Sequence, residues 1–502
     1  MNKRVIYQIS FLFWGVTALA QTRENSWIVP TQKYLKITVI EDGIYKITGE
    51  GIAKSGWDLS SVNPEKLQLF YRGQEVAIKT NTENESSFKS TDSFLFYGQK
   101  NDGSRDSLLY RNADRGNPFH SLYTDESTFF LTVSQEAKRR KRINSIRNDS
   151  PNLLEESYHL AQDRIVYTDQ FSFNNIIGLV PLLQQSYFEN GKGRTGKFIV
   201  SDTTAYFQIK LKNRVITPAN EPAITYQVNG RSRISHQLVA SFGERDSTFF
   251  SIQPFGVRKE TNLITNRYIQ DETIRLSLSS TKREPLDWYS MTYIQVVYPQ
   301  LFLMNKQDFK YFNLKNNRLQ ASMIFVRDFN TDGLMWNVTN PLNPVQLLSN
   351  SDKKFTILES SNSIKLAAAQ SPKKALEIEV TNLNQFENTN ADYLIITHKN
   401  LMESAVEYAA YRASKEGGNH SPLVVTSQQL YDTFNYGERS PIALRKFAEH
   451  MLTTANSKHL LLIGRAISFP DELRSNNYSD LVPTVGYPGS DVLLTARLNG
   501  YQ

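Results

Sequence analysis

The sequence predicts a multidomain chain, with β-rich domains of sandwich or barrel type in front and an incomplete α/β domain with a parallel sheet behind. Three observations lead there. At 502 residues the chain is too long for one ordinary core and fits roughly two to four domains. Short alternating apolar runs separated by turn residues fill residues 30–380, as in sandwiches and barrels. From Asp392 the pattern changes, and apolar runs alternate with one-sided helical stretches, the signature of a parallel sheet covered by helices. The divisions drawn this way are 1–20, 21–140, 141–184, 185–380 and 385–502.

Met1 to Ala20 reads as a secretory signal peptide. Lys3 and Arg4 give the positive start, Val5 to Val16 the mostly apolar middle, and Ala18-Leu19-Ala20 an A-x-A cleavage site before Gln21. The apolar stretch falls short of the ~20 residues that span a bilayer, which favours cleavage over anchoring. No later run is long enough to span. The exported chain is expected in the periplasm, at the outer-membrane surface or outside the cell. It contains no cysteine, so no disulfide supports its cores. The formal net charge of +7 shrinks with the signal segment, and the remainder does not point to nucleic acid.

Residues 21–140 read as the first β domain. Leu35, Ile37 and Val39 alternate with polar neighbours, and Glu41-Asp42-Gly43 then leads into Ile44–Ile47, a hairpin signature. Leu67–Tyr71, Phe94–Tyr97 and Phe129–Val133 are further strands. Lys138-Arg139-Arg140-Lys141-Arg142 is either a processing site or anionic-surface patch, or a solvated connector or charge-defended edge strand, and the latter pair is the simpler reading. Residues 141–184 link this domain to a middle β-rich region, 185–380. Its clearest strands are Phe198–Val200, Tyr206–Leu211, Ile274–Leu278 and Met291–Tyr298, with one face buried where the pattern alternates.

In the last region, Asp392–His398, Leu423–Val425 and His459–Gly464 are apolar runs of parallel-strand type. Leu401, Ala405, Tyr408 and Ala409 fall on one face of a helix, as do Leu444, Phe447, Ala448, Met451 and Leu452. Ser440 suits an N-cap, and Pro441 suits the first helical position. The carboxyl ends of the strands, where sites form in such sheets, are Thr397-His398, Thr426-Ser427 and Gly464-Arg465.

Four runs here resemble the gingipain-type (C25) cysteine peptidase domain. They are Asp392–His398; Leu423–Thr426 with Gln429–Gly437; Leu460–Gly464; and Val482–Asp491. Upstream, Tyr34–Ile37 with Glu41–Tyr45, and Pro64–Gln74, are similar to the N-terminal region of PorU-like cell-surface sortases of the type IX secretion system. The resemblance implies a caspase-like α/β domain over 385–502, truncated at Gln502. It implies the front part of a secreted cysteine peptidase or sortase, acting on exported proteins with type IX secretion components as partners. Family members use a His-Cys dyad on later strands. No residue here matches either member, because His398, His420, His450 and His459 all precede the family's catalytic His and no cysteine exists. The chain alone is therefore expected to lack peptidase activity, since a thiolate and its activating His are both required.

No catalytic residue and no cofactor is assigned on this basis. His398 ends the first parallel strand and is read either as lining the cleft or as an ordinary polar strand end. Asp491 is read as shaping the cleft, orienting a loop or binding calcium, or as part of a structural turn beside Pro488 and Gly489. Asp328–Gly333 has the D-x-N-x-D-G opening of a calcium loop, but Thr339 stands where the closing Glu belongs, which favours a turn. Asp471 and Glu472 are loop neighbours and a poor acid/base pair. Two other functions stay open. One is a non-catalytic surface binding or assembly module. The other, resting on aromatic content alone, is a carbohydrate-binding β-sandwich.

Overall fold

The structure is a computed structural model. It describes residues 25–498 except 83–84, 112–114, 137–139, 148–152, 173–175, 178–182, 185, 219, 244–245, 283, 316–319, 384–385, 387–388, 456 and 468–480. The signal segment 1–20, Lys138 and Arg139, and Asp471 and Glu472 lie outside the described residues.

Two facing sheets open the chain. In the first, Tyr34–Val39 lies between Ser127–Val133 and Glu377–Thr381, and pairing continues through Leu67–Tyr71 to Gln74–Val76, antiparallel throughout. The second contains Gly43–Thr48, Ser93–Gly98 and Lys79–Thr80. The two-residue period of a strand sends alternate side chains inward. Leu35, Ile37, Ile47, Leu69, Phe96 and Phe129 thereby share one core. The turn Glu41-Asp42-Gly43 does not close the hairpin that its spacing predicts. Both edges of Tyr34–Val39 are already occupied, so the turn carries the chain across to the other sheet. The first sheet also takes an edge strand, 377–381, from far along the sequence.

The middle of the chain is a sandwich. The 13-residue strand Trp288–Gln300 pairs with Ile199–Val200, Ala223–Gly230 and His159–Val166, and Val257–Leu263 lies beyond Ala223–Gly230. A four-stranded sheet, Ala205–Lys210, Thr273–Ser280, His236–Phe242 and Asp246–Ile252, faces it. Tyr226, Val228, Leu238, Leu276, Ile294 and Val296 form the core between them.

His159 enters this region neutral. Its Nε2 lies 3.1 Å from Gln300 Oε1, and Gln300 Nε2 donates to the Lys212 carbonyl, which fixes the amide. The imidazole packs against Phe302 and Phe312. Burial, with Lys310 nearby, pushes its pKa down to about 3. A depressed histidine contributes stability that is present above its unfolded value, near 6.5, and is lost as pH falls toward 3. The expected slope is about 1.4 kcal/mol per pH unit below 6.5. Urea midpoints at pH 7 and pH 5 check this. The His159→Phe variant is expected to be weaker at pH 7 but flatter between the two pH values.

A smaller β unit comes next. Phe309–Leu314, Ile364–Ala369, Leu334–Asn337, Val345–Leu347 and Ser145–Ile146 form one sheet, and Ser322–Phe325 pairs with Lys354–Ile357. Trp336, Ala367 and Ala369 pack on Ile44, Ala77 and Tyr97, which joins this unit to the first. The run Asp328–Gly333 forms a turn tied to one side chain: Gln370 Oε1 accepts from Asn330 N–H, and Gln370 Nε2 donates to the Asp328 carbonyl. Of the basic run, the described members are tied down locally. Arg140 bonds Glu136 and Ser134, Lys141 bonds Glu75, and Arg142 bonds the carbonyls of Pro64, Glu65 and Leu67.

The α/β part contains three parallel strands in the order Pro422–Thr426, Tyr393–Thr397, His459–Ile463, as the apolar runs predict. Tyr393–Thr397 is buried along its whole length, which suits its continuous apolar character. Tyr393, Ile395, Val424, Leu461 and Ile463 face helix Met402–Ala413, whose Ala405 and Ala409 allow close approach. Leu394, Ile396, Leu423, Val425, Leu460 and Leu462 face helices Ser427–Phe434 and Pro441–Thr454. Ser440 caps the last of these, accepting from Ile442 N–H with Pro441 in the first turn. Among the described residues, no helix is long and apolar enough to cross a membrane.

Candidate functional site at the carboxyl ends of the parallel strands

The ends of the three strands are locked to one another and to the segment Leu481-Val482. Thr397 Oγ1 donates to the Ile463 carbonyl at 3.0 Å. Thr426 stops its strand and starts the next helix in one step: its Oγ1 accepts from Gln429 N–H, and Gln429 Oε1 accepts from Thr426 N–H. This capping box satisfies two otherwise orphan donors. Ser427 Oγ donates to the Leu481 carbonyl at 3.0 Å, and the Arg465 carbonyl accepts from Leu481 and Val482 N–H. Leu481-Val482 therefore lies across the strand ends. Gly464 is needed for that approach, since it has φ +155° and a Cβ there would sit 2.7 Å from Val482.

His398 stands at the end of the central strand, half-buried. Its Nδ1 accepts from Asn400 N–H at 3.2 Å and caps the turn Lys399–Leu401. Burial and then Lys399 hold its pKa below the usual value. Asp491 is exposed at the start of a short turn, Asp491–Leu494, that packs on helix Pro441–Thr454 through Leu494 and the bond from Arg445 to the Leu493 carbonyl. Among the described residues, no hydrogen bond or ion pair joins His398 and Asp491. The other histidines of this region lie away from the strand ends. His420, bonded to Asp392 at 2.8 Å, and His459 flank Tyr393 at the amino end of the sheet, while His450 packs on Phe434.

The helix-to-loop run Asp432–Glu438 docks on the first β unit. Asp432 pairs with Lys36 at 3.3 Å and accepts from Thr381. Asn435 accepts from Arg105 Nε, whose guanidinium lies 4.5 Å from the Tyr436 ring centroid. Tyr436 also meets Trp27. Gly437 lies against Thr128, and Glu438 holds Arg72 by two bonds, Nε–Oε1 at 2.8 Å and Nη2–Oε2 at 3.1 Å. Burial lifts the Asp432 and Glu438 carboxyls above the usual range, against the pull of Lys36 and Arg72 respectively. The Val482–Asp491 run is seated similarly: Tyr487 N–H donates to the Ser186 carbonyl, and buried Lys192 donates to the Tyr487 and Tyr187 carbonyls. Burial lowers Lys192 to about 8. Leu109, Tyr110, Leu122, Tyr123, Phe171 and Phe188 complete the same core as the sheet face.

Sequence reasoning placed the strand ends but missed helix Ser427–Phe434 and the docking role of the run after it. The capping box Thr426-x-x-Gln429 is a signal that finds the helix.

Residues 386–498 match the family model described as peptidase family C25. No curated protein matches the chain. Among solved structures, the crystal structure of dimeric latent PorU from Porphyromonas gingivalis is similar at 14% identity and a TM-score of 0.60, over 91% of this chain and 44% of that one. At this identity the likeness speaks for the fold. The chain spans less than half the length of that protein. A CBM35 from Cellvibrio japonicus Abf62 has 10% identity and a TM-score of 0.13, over 29% of this chain and 97% of that one. The plant receptor-like kinase ANX2 has 8% identity and a TM-score of 0.17, over 54% and 89%. Neither of these two carries an argument at such scores. The segment that matches peptidase family C25, residues 386–498, is thus the parallel sheet with its helices, docked to a β body that shares the fold of PorU.

Proposed function

We propose that this chain is the scaffold portion of an exported C25-type cysteine peptidase or sortase of the type IX secretion system, acting on exported proteins at the cell surface. The observation that supports it most is the three-stranded parallel sheet with its family match, seated by buried contacts on a PorU-like β body. In this reading the β body and the Asp432–Glu438 run hold the strand ends in place, and His398 lines the rim of the cleft. In this reading the residues of this chain do not supply the nucleophile, because a chain with no cysteine has no thiolate to form an acyl-enzyme. That same absence favours the second reading, a non-catalytic surface binding or assembly module.

The 502-residue chain is expected to show no iodoacetamide-sensitive cleavage of a mixed peptide library. Protein that also carries the coding sequence downstream of Gln502 is expected to show it, with a His and then a Cys encoded there. Thiol-dependent turnover by the short chain would overturn the assignment, and so would a downstream sequence with no cysteine.

A further inference from the structure

The middle sandwich has a pocket of about 350 Å³ at the open side between its two sheets. Ile199 and Met291 come from one sheet and Phe207 from the edge strand of the other, with Tyr167 just beyond the end of His159–Val166. The Tyr167 and Phe207 rings meet edge to face at 5.7 Å. The walls are fixed by backbone bonds: Tyr167 N–H donates to the Thr292 carbonyl and Gly196 N–H to the Met291 carbonyl. Gly196 lies close against this wall, where a Cβ would sit 3.1 Å from the Met291 oxygen. The mouth is polar and unspent. Among the described residues, the Tyr167 hydroxyl, the Asp169 carboxylate and the Lys197 ammonium make no hydrogen bond or ion pair, and all three residues line the one cavity, Asp169 and Lys197 from its exposed side.

A preformed concave site with an aromatic, apolar floor and a few convergent polar groups is the usual form of a small-ligand pocket. The ligand that suits this one has an apolar face for the rings and both donors and acceptors for the rim. The carboxylate accepts, the ammonium donates and the phenol does both. One anion and one cation at the mouth favour a ligand without net charge. A pyranose ring meets every condition, since its axial C–H bonds form an apolar face and its hydroxyls both donate and accept. We propose that this pocket binds a pyranose unit of a neutral saccharide. The proposal stands on the sandwich alone and does not rest on the peptidase reading.

The test uses the whole chain. Saturation-transfer NMR against methyl pyranosides and neutral oligosaccharides is expected to detect binding at roughly 10 mM sugar or below, strongest on the C–H protons of one ring face. Asp169→Ala and Lys197→Ala change exposed side chains and leave the fold intact by circular dichroism. Each is expected to weaken binding roughly tenfold, while Lys54→Ala, in the first β unit, changes nothing. Failure of every sugar in the panel overturns the proposal. So does undiminished binding by both pocket variants, or displacement of the sugar by a neutral dipeptide.

Discussion

Replacing Arg72 by alanine is expected to cost about 3–5 kcal/mol, because it leaves a buried carboxylate without its partner. Glu438 is 2% exposed, and Arg72 holds both of its oxygens. The guanidinium also donates to Ser104 and Asn101, so its removal strips several groups at once. The loss falls on both sides of the junction, since Arg72 follows strand Leu67–Tyr71 and Glu438 lies between two helices of the α/β part. The double variant Arg72→Met/Glu438→Leu is expected to recover most of the stability, because replacing a buried pair by apolar groups of similar volume is often near neutral. Lys54→Ala breaks only an exposed pair with Glu50 and is expected to leave the urea midpoint unmoved. A midpoint for Arg72→Ala equal to that of Lys54→Ala would show that the pair is dispensable.

Gly437→Ala is the second large effect. Gly437 has φ +80°, next to Tyr436 at φ +55°, and a Cβ there would lie 2.6–2.7 Å from three atoms of the Thr128 side chain. The left-handed backbone costs about 1–3 kcal/mol with a side chain present. Overlap with a buried strand residue adds a further penalty of about 1–3 kcal/mol. Denaturation of Gly437→Ala should therefore show a midpoint well below the parent. Adding Thr128→Gly is expected to relieve the overlap and leave the backbone share. No difference between the single and double variants would mean that the helix-to-loop run does not press on the β body.

The fold class was legible because its signals are local. Period-2 alternation marks Tyr34–Val39 and Thr273–Ser280, and a continuous apolar run marks Tyr393–Thr397. Partner choice was not legible. The Glu41-Asp42-Gly43 turn reads as a hairpin until Glu377–Thr381, more than three hundred residues away, takes the edge that the hairpin needs. The same limit applies to the site. His398 and the strand ends follow from the topology rule for parallel sheets. The use of Asp432–Glu438 as a docking run depends on Lys36, Arg72, Arg105 and Thr128, which no spacing within that run reveals. Helix Ser427–Phe434 is too short to carry a long apolar stripe, and its sequence signal is the capping box instead.

The C25-matching segment and the β body form one unit. The most direct test of this is a protease site inserted between Thr389 and Asn390 in the intact chain, followed by cleavage and size-exclusion chromatography. The buried pairs Lys36–Asp432 and Arg72–Glu438, and the core shared by Tyr110, Phe188, Phe447 and Ile396, predict that the two pieces co-elute in native buffer and part only in urea. Separation of the pieces in native buffer, each still folded, would contradict the account.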